Sequence, residues 1–244
     1  MTTASKIMLT CPEHGEYQAN AFWFGTKRIV TSCPKCADTV EEPQRTPRVC
    51  KKVKGLPKRF MDATFQGYEA SGKDQEKALR YSKAYADSEK VITRGTRMLF
   101  CGKPGTGKTH LAAAISRRMG ERGVECVFSH VYDIMSDIKA TFSTGKSEKA
   151  AKRKYIDAGF LVIDEIGVQK GSDFERNILF EILNERHNEM RPTLVISNLG
   201  LAPLTDYLGE PFIDRIYEDG GQVVAFDWAS HRRESQIQLV KRSF

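Results

Sequence analysis

The chain has 244 residues, 40% of them hydrophobic, which is enough for one medium-sized domain with a buried core and a smaller module. Lysine and arginine number 38 against 31 aspartate and glutamate, and the resulting net charge of +7 favours a polyanion or an acidic partner. No run of eighteen apolar residues occurs, and the first residues lack the basic and apolar pattern of a signal peptide. We therefore expect a cytoplasmic protein with no membrane partner.

Cysteine and histidine cluster near the start of the chain. Cys11 and His14 form one pair, and Cys33 and Cys36 form a second pair with the same two-residue spacing. Thiolates and an imidazole at such spacing close a tetrahedral site with no open position, so we predict a structural Zn²⁺ ion. The alternative is reduced cysteines packed in a small core. Cys50 could replace one ligand or be incidental, and we favour the second interpretation.

The residues between the two pairs are aromatic and β-branched, which predicts a ribbon hairpin that turns near Gly25. We therefore expect a small zinc-ribbon-like module over residues 1–42. Residues 43–59 contain three prolines and few large apolar residues, which is typical of a linker. The stretch from Arg45 to Arg59, both included, has seven basic residues and no acidic one. This run could lie along nucleic acid or be a solvated linker.

The domain predicted for residues 60–244 begins with aromatic residues and a helix. The helix is predicted from Lys73 to Val91, with small and aromatic residues near one face. Phe65 and Tyr68 precede it. Each could pack on the base of the nucleotide predicted below, or in the hydrophobic core.

A glycine-rich loop lies between a short apolar run, residues 98–101, and a helix that starts near His110. It matches G-x-x-x-x-G-K-[ST] in the strand, loop and helix context that a phosphate-binding loop requires. We expect its amides to bind the phosphates of ATP, with Lys108 at the β- and γ-phosphates and the Thr109 hydroxyl on Mg²⁺. The loop residues are Gly102, Lys103, Pro104, Gly105, Thr106, Gly107, Lys108 and Thr109.

Strands and helices alternate after this loop, which predicts an α/β fold with a parallel sheet covered by helices. The predicted strands are 124–128, 160–163, 193–198 and 223–226, and the predicted helices are 131–142 and 173–188.

Polar residues follow two of these strands. Asp164 and Glu165 end the strand at 160–163 in a Walker B arrangement, where Asp164 would hold Mg²⁺ through water and Glu165 would polarise the attacking water. Asn198, at the tip of the next strand, could position the same water or cap a turn.

In combination, these motifs resemble the DnaC-type helicase loaders and their IstB relatives, which are AAA+ ATPases. The resemblance covers residues 60–235 and includes the motifs at 161–167, 191–199 and 208–216. It implies a P-loop AAA+ domain. Only 46 residues follow Asn198 and they must include the strand at 223–226, so we expect any lid to be abbreviated. The resemblance also implies that Asn198 is the sensor 1 residue, Arg215 an arginine finger for a neighbouring subunit, and Arg232 the sensor 2 arginine.

The same resemblance implies partners. They are a replicative helicase of the DnaB type, single-stranded DNA, and further copies of this chain in an ATP-dependent oligomer. Phe142, Ser172 and Phe174 match DNA-contacting positions of the family, although Phe142 could instead belong to the core. The helical segment with which the cellular loader grips the helicase is replaced here by the zinc module, so the resemblance implies no mode of helicase contact.

We therefore predict an ATPase that loads a replicative helicase onto single-stranded DNA in replication initiation. One alternative is an IstB-like ATPase that assembles on duplex DNA and regulates a transposase. Another is a zinc protein that binds nucleic acid and uses its ATP site only as a conformational switch.

Overall fold

The computed structural model describes residues 5–24, 27–31, 33–35, 53–145, 147–167 and 172–231. The chain divides into two compact units, Met1–Arg48 and Val49–Phe244. In the described part of the chain, no helix is both long enough and apolar enough to span a lipid bilayer.

The first unit contains a three-stranded antiparallel sheet. Its strands are β1 (Ser5–Cys11), β2 (Gly15–Phe24) and β3 (Lys27–Val30), and they pair in this order. Strands β2 and β3 pair antiparallel, with Phe24 opposite Lys27, and the predicted turn near Gly25 is outside the described residues. Strand β1 was not predicted.

The second unit is built on a five-stranded parallel sheet with the order β5-β6-β7-β4-β8. Its strands are β4 (Arg97–Gly102), β5 (Cys126–His130), β6 (Phe160–Ile166), β7 (Thr193–Ser197) and β8 (Gln222–Phe226). Most residues of these strands are buried, as expected where helices cover both faces of a parallel sheet. The predicted α/β fold is confirmed.

Eight α-helices accompany this sheet in the described residues. They are α1 (Lys73–Asp87), α2 (Glu89–Arg94), α3 (Lys108–Glu121), α4 (Val131–Thr144), α5 (Glu148–Ile156), α6 (Asp173–Asn188), α7 (Leu201–Leu208) and α8 (Glu210–Tyr217). Alternate residues of each strand point to opposite faces. Phe100 accordingly packs in the cluster formed with α1 to α3, whereas Leu99 packs in the cluster formed with α4 to α8.

Several elements differ from their predicted bounds. The single helix predicted from Lys73 to Val91 is two helices, because Ser88 has an extended backbone with ψ 127°. Strand β5 starts two residues later than predicted, and β6 continues beyond Asp164 to Ile166. Helices α5, α7 and α8 were not predicted.

The predicted linker ends earlier than residue 59, because its last residues belong to the second unit. The Lys54 amide donates to the Cys126 carbonyl at 2.9 Å, and the Phe128 amide donates to the Lys54 carbonyl at 2.8 Å. Gly55 permits this approach, since a Cβ there would lie 2.1 Å from the Phe128 carbonyl oxygen. Val53 and Leu56 then pack against the core.

Candidate nucleotide-binding site

The phosphate-binding loop lies between β4 and α3, as predicted. Gly105 and Gly107 have φ angles of 78° and 96°, in the left-handed region that favours glycine. Helix α3 starts at Lys108, so its positive N-terminal end faces the loop. The loop therefore presents backbone donors and a helix dipole to an anion.

The buried ammonium group of Lys108 lies inside this loop. It donates to the carbonyl oxygens of Gly102 at 2.7 Å and Lys103 at 2.6 Å. Because these contacts fix the side chain against the loop, its positive charge is held where phosphate oxygens would bind.

A cavity of about 340 Å³ opens beside the loop, within the size range of small-molecule sites. Loop residues from Pro104 to Thr109 form one wall of it. The other lining residues come from several separate segments of the chain: Arg59, Phe60, Gly67, Tyr68, Glu69, Gln75, His110, Asp164, Glu165, Asn198, Trp228 and His231.

The order of the strands brings the predicted polar residues to this cavity. Strand β7 lies between β4 and β6, and all three run parallel. Their carboxyl ends therefore meet at one edge, where Asn198 follows β7. Asn198, Asp164 and Glu165 line the same cavity as Lys108.

Asp164 and Thr109 form a donor set that fits Mg²⁺. The Thr109 hydroxyl donates to Asp164 Oδ2 at 3.0 Å, and the Glu165 amide donates to Oδ1 at 2.8 Å. Burial raises the pKa of the Asp164 carboxyl, although these two hydrogen bonds oppose the shift. Carboxylate and hydroxyl oxygens are ligands suited to Mg²⁺, which commonly bridges to nucleotide phosphates.

Glu165 differs from Asp164 in exposure and in backbone. Its side chain is 54% exposed and its φ angle is 66°, which is uncommon outside glycine. Nδ1 of His130 lies 3.7 Å from Glu165 Oε2. His130 ends β5 opposite Asp164 and was not predicted from the sequence, because no motif marks it.

The two predicted base-contacting aromatics occupy different places. Tyr68 lines the cavity and its hydroxyl lies 3.4 Å from the Thr106 carbonyl, while burial raises the pKa of this phenol to about 12. Phe65 instead packs against the core cluster beneath α3, and Phe60 lines the cavity. Arg59 and Phe60 lie in a 3₁₀ helix, Lys58–Phe60. This helix is at the predicted boundary between the linker and the ATPase domain.

Arg215 lies near the N-terminal end of β4, whereas the phosphate loop follows the C-terminal end of this strand. Its backbone carbonyl accepts from Nε of Arg97, the first residue of β4, at 2.7 Å, and its Nη1 donates to Asn184 Oδ1 at 2.5 Å. The loop follows the far end of this six-residue strand, which spans roughly 20 Å. Arg215 therefore contributes nothing to the nucleotide site of its own chain. Arg232 and the residues of the predicted lid that follow it are outside the described residues.

Phe142, Ser172 and Phe174 lie near one another on the surface. Phe142 is 63% exposed, so it is not a core residue, and its ring centroid is 6.0 Å from that of Phe174. The Ser172 hydroxyl accepts from the Glu175 amide at 3.2 Å and caps α6. Ser172 and Phe174 line a groove of about 540 Å³ together with Tyr132, Ser136, Lys139 and Glu165.

Cys11, His14 and Cys33 come together in the first unit. Their ligand atoms lie within 4.8 Å of one another, and Cys11 Sγ is 3.7 Å from His14 Nδ1. Two ligands of a tetrahedral zinc ion lie about 3.5 Å apart, so these three residues fit such an ion. The fourth predicted ligand, Cys36, is outside the described residues, as is Cys50.

Known proteins are similar to this chain in sequence and in fold. Residues 40–236 match the family of IstB-like ATP binding proteins. The replicative helicase loader DnaC of Escherichia coli K12 is 36% identical over 179 residues, which cover 73% of this chain and 72% of DnaC. The uncharacterized protein YdaV of the same organism is 35% identical over 178 residues, which cover 73% of this chain and 71% of YdaV. A crystal structure of the DnaC helicase loader has a TM-score of 0.62 and 26% identity, covering 70% of this chain and 100% of that chain.

Proposed function

This chain belongs to the family of IstB-like ATP-binding ATPases and is a relative of the DnaC helicase loaders, and on this basis we propose that it loads a DnaB-type replicative helicase onto single-stranded DNA in the cytoplasm. The single observation that carries the proposal is the 36% identity to DnaC over 73% of the chain. The family match over residues 40–236 includes the nucleotide site.

The site residues divide the chemistry of ATP hydrolysis among them. ATP would supply the phosphoryl group, and bound Mg²⁺ would neutralise negative charge on the phosphates. In our proposal Lys108 and the loop amides hold the phosphates, while Thr109 and Asp164 hold the metal. Glu165 accepts the proton of the attacking water, and Asn198 orients that water.

We propose that the active species is an ATP-dependent oligomer. Arg215 is roughly a strand length from the phosphate loop of its own chain, which supports a role at the nucleotide of a neighbouring subunit. A cation that arrives across an interface stabilises the transition state only in the assembled form. In the same proposal Arg232 acts as the sensor 2 arginine of its own site.

We assign single-stranded DNA to the groove beside α4. The exposed ring of Phe142 is available for stacking on bases of any sequence, and Lys139 adds a positive charge for the phosphate backbone. Phe174 belongs to the same surface through its contact with Phe142. Ser172 both caps α6 and faces the groove.

The first unit is proposed to hold one structural Zn²⁺ ion through Cys11, His14, Cys33 and Cys36. Its small sheet buries few large side chains among the described residues, and modules of this size commonly depend on metal binding to fold.

A second candidate function is favoured by the family match itself. The matching family is named for IstB-like ATP binding proteins, so an ATPase that assembles on duplex DNA and serves a transposase is the alternative. A zinc protein that binds nucleic acid and uses ATP only as a switch is less favoured, because the residues for hydrolysis meet in one cavity.

The experiment that separates these functions is a co-purification with ATP, offering the protein a DnaB-type helicase and an IS21-type transposase in equal amounts. We expect the helicase to be retained and single-stranded DNA to stimulate ATP hydrolysis more than duplex DNA. Phe142→Ala should lose this stimulation. Phe180→Ala, which removes an exposed ring from the middle of α6, is the matched control and should keep it. Retention of the transposase with preference for duplex DNA would overturn the loader proposal.

A further inference from the structure

The segment at residues 227–231, which follows β8, runs along the phosphate loop and is bonded to it. The Lys103 ammonium donates to the Asp227 carbonyl at 2.7 Å. The His231 amide donates to the Gly105 carbonyl at 3.1 Å. The phosphate loop is therefore held by the residues that directly precede Arg232, the predicted sensor 2 arginine.

Trp228 makes the central contact of this segment. Its indole Nε1 donates to the Thr106 carbonyl at 3.0 Å. The hydroxyl of Tyr68 approaches the same carbonyl from another segment at 3.4 Å, a longer and weaker bond. One carbonyl of the phosphate loop thus receives two side-chain donors.

The indole is itself fixed by the core. Its ring centroid lies 4.8 Å from that of Phe226, and the Phe226 ring lies 4.9 Å from that of Phe100. Both phenylalanines are fully buried in the sheet. Because aromatic pairs at these distances attract one another, the position of the indole N–H is tied to the rigid strands β4 and β8.

The geometry of the peptide group gives this contact a consequence for the loop. A trans peptide is planar, and its C=O and N–H groups point in opposite directions. Holding the Thr106 carbonyl toward Trp228 therefore directs the Gly107 amide away from Trp228. Gly107 immediately precedes α3, where the amides at a helix N-terminus are the groups that bind phosphate.

We propose that Trp228 is a positioning residue for ATP, whose indole N–H holds the Thr106–Gly107 peptide so that the Gly107 amide faces the phosphates. Two close approaches support the tight packing that this requires. A Cβ at Gly107 would lie 2.6 Å from the Tyr68 ring, and a Cβ at Gly105 would lie 2.1 Å from the Ser230 hydroxyl. The inference rests on the ATP site alone and is independent of helicase loading.

The Trp228 variants are made in a parent protein that carries Trp23→Phe, so that Trp228 is its remaining tryptophan. Adding Trp228→Phe to it removes the N–H and keeps an aromatic ring beside Phe226. We expect the KM for ATP to rise about fivefold, the value of one typical hydrogen bond, with little change in kcat. Tyr68→Phe, which removes the longer bond, should raise KM less.

A second substitution isolates the N–H from the shape of the ring. Replacing Trp228 in the parent by benzothienylalanine exchanges the N–H for sulfur and leaves the bicyclic ring in place, so folding is preserved. Weakened ATP binding, measured by titration calorimetry, supports the proposal. ATP affinity equal to that of the parent overturns it, even if Trp228→Phe binds poorly, because ring packing would then explain that variant.

Discussion

At the scale of single residues, Lys108 and Glu165 are side chains of the same cavity with opposite environments. Lys108 is buried and hydrogen-bonded to two carbonyls of its own loop, whereas the Glu165 side chain is half exposed. A buried fixed cation suits permanent contact with phosphates, and an exposed carboxylate suits contact with water. The two residues should therefore fail in different ways when they are changed.

Glu165→Gln should bind Mg–ATP with near-normal affinity and hydrolyse it about 10² to 10⁴ times more slowly, because the amide cannot accept the proton of the attacking water. Lys108→Ala should lose ATP affinity by roughly 10- to 100-fold, since a charge-assisted contact is removed. Titration calorimetry and a phosphate-release assay measure the two properties separately. If Glu165→Gln fails to bind ATP, the two acids at the end of β6 have been given the wrong roles.

The residues that were found from the sequence are those whose neighbours in the chain define them. The phosphate loop is recognised by glycines and a lysine at fixed spacing, and Asp164 by the apolar strand before it. Phe60 and His130 carry no such local mark, and the sequence around Trp228 singled out Arg232 rather than the tryptophan. Phe60 and Trp228 line the cavity, and His130 lies beside Glu165, only because segments distant in the sequence come together in the tertiary fold.

At the scale of secondary-structure elements, Arg186 connects four segments of the chain from within the core. Its side chain is fully buried, and burial lowers the pKa of the guanidinium to about 9. Its hydrogen bonds reach the end of α5, the start of β6 and the start of β7. The acceptors are Thr193 Oγ1 at 2.8 Å and the carbonyls of Tyr155 at 2.9 Å, Ile156 at 2.8 Å, Ala158 at 2.7 Å and Pro192 at 2.6 Å.

Arg186→Met should lower the free energy of unfolding by about 3 kcal/mol or more, because it leaves several buried carbonyls without donors. Urea denaturation followed by circular dichroism measures the change. Arg117→Met is the matched control, since it removes only a surface ion pair with Glu121 and should cost less than about 0.5 kcal/mol. A loss below 1 kcal/mol for Arg186→Met would mean that water or a rearranged loop replaces the guanidinium at little cost.

The proposed zinc site leads to a prediction that concerns the first unit alone. We expect one Zn²⁺ per chain, and its removal by a strong chelator should unfold residues 10–40, because the metal supplies the folding free energy of a module with a small core. ATP binding should persist, since the nucleotide cavity belongs to the other compact unit. Metal analysis and limited proteolysis test both statements.

A matched pair of variants sharpens this test. Cys33→Ser should abolish zinc binding, whereas Cys126→Ser, in the core of the second unit, should leave the zinc content unchanged. Protein that is purified without chelators and contains no metal would show that the cysteines form an ordinary small core.

Prediction of elements from the sequence succeeded where apolar periodicity and end signals agree. Helix α6 has its predicted bounds, with the Ser172 cap before it and Arg191-Pro192 after it. Helix α5 was not predicted because most of its residues are charged and only Tyr155 and Ile156 are buried, so its sequence shows no apolar periodicity. Helices α7 and α8 each have a proline in the first turn. Proline is tolerated there, but in a sequence it usually indicates the end of a helix.

In the second unit taken as a whole, the nucleotide cavity and Arg215 lie at opposite ends of the strands. Arg97 starts β4 and binds the Arg215 backbone, while the phosphate loop follows the other end of this strand. Each copy of the chain therefore has an ATP site at one end of the strands and an arginine at the other. Head-to-tail association would bring the two together, and such association generates rings or open helical assemblies.

The last prediction tests this arrangement by mixing variants. Arg215→Ala should bind ATP in its own site but hydrolyse it about 10³ to 10⁵ times more slowly, because the neighbouring transition state loses a cation. Lys108→Ala should be inactive in its own site yet retain Arg215. A mixture of the two should recover part of the wild-type hydrolysis, since a Lys108→Ala subunit supplies the arginine to the intact site of an Arg215→Ala subunit. Arg176→Ala, which changes an exposed arginine on α6, is the control and should hydrolyse ATP without a partner variant. If the mixture co-assembles and stays inactive, Arg215 does not act across the interface, and its bond to Asn184 is a structural contact.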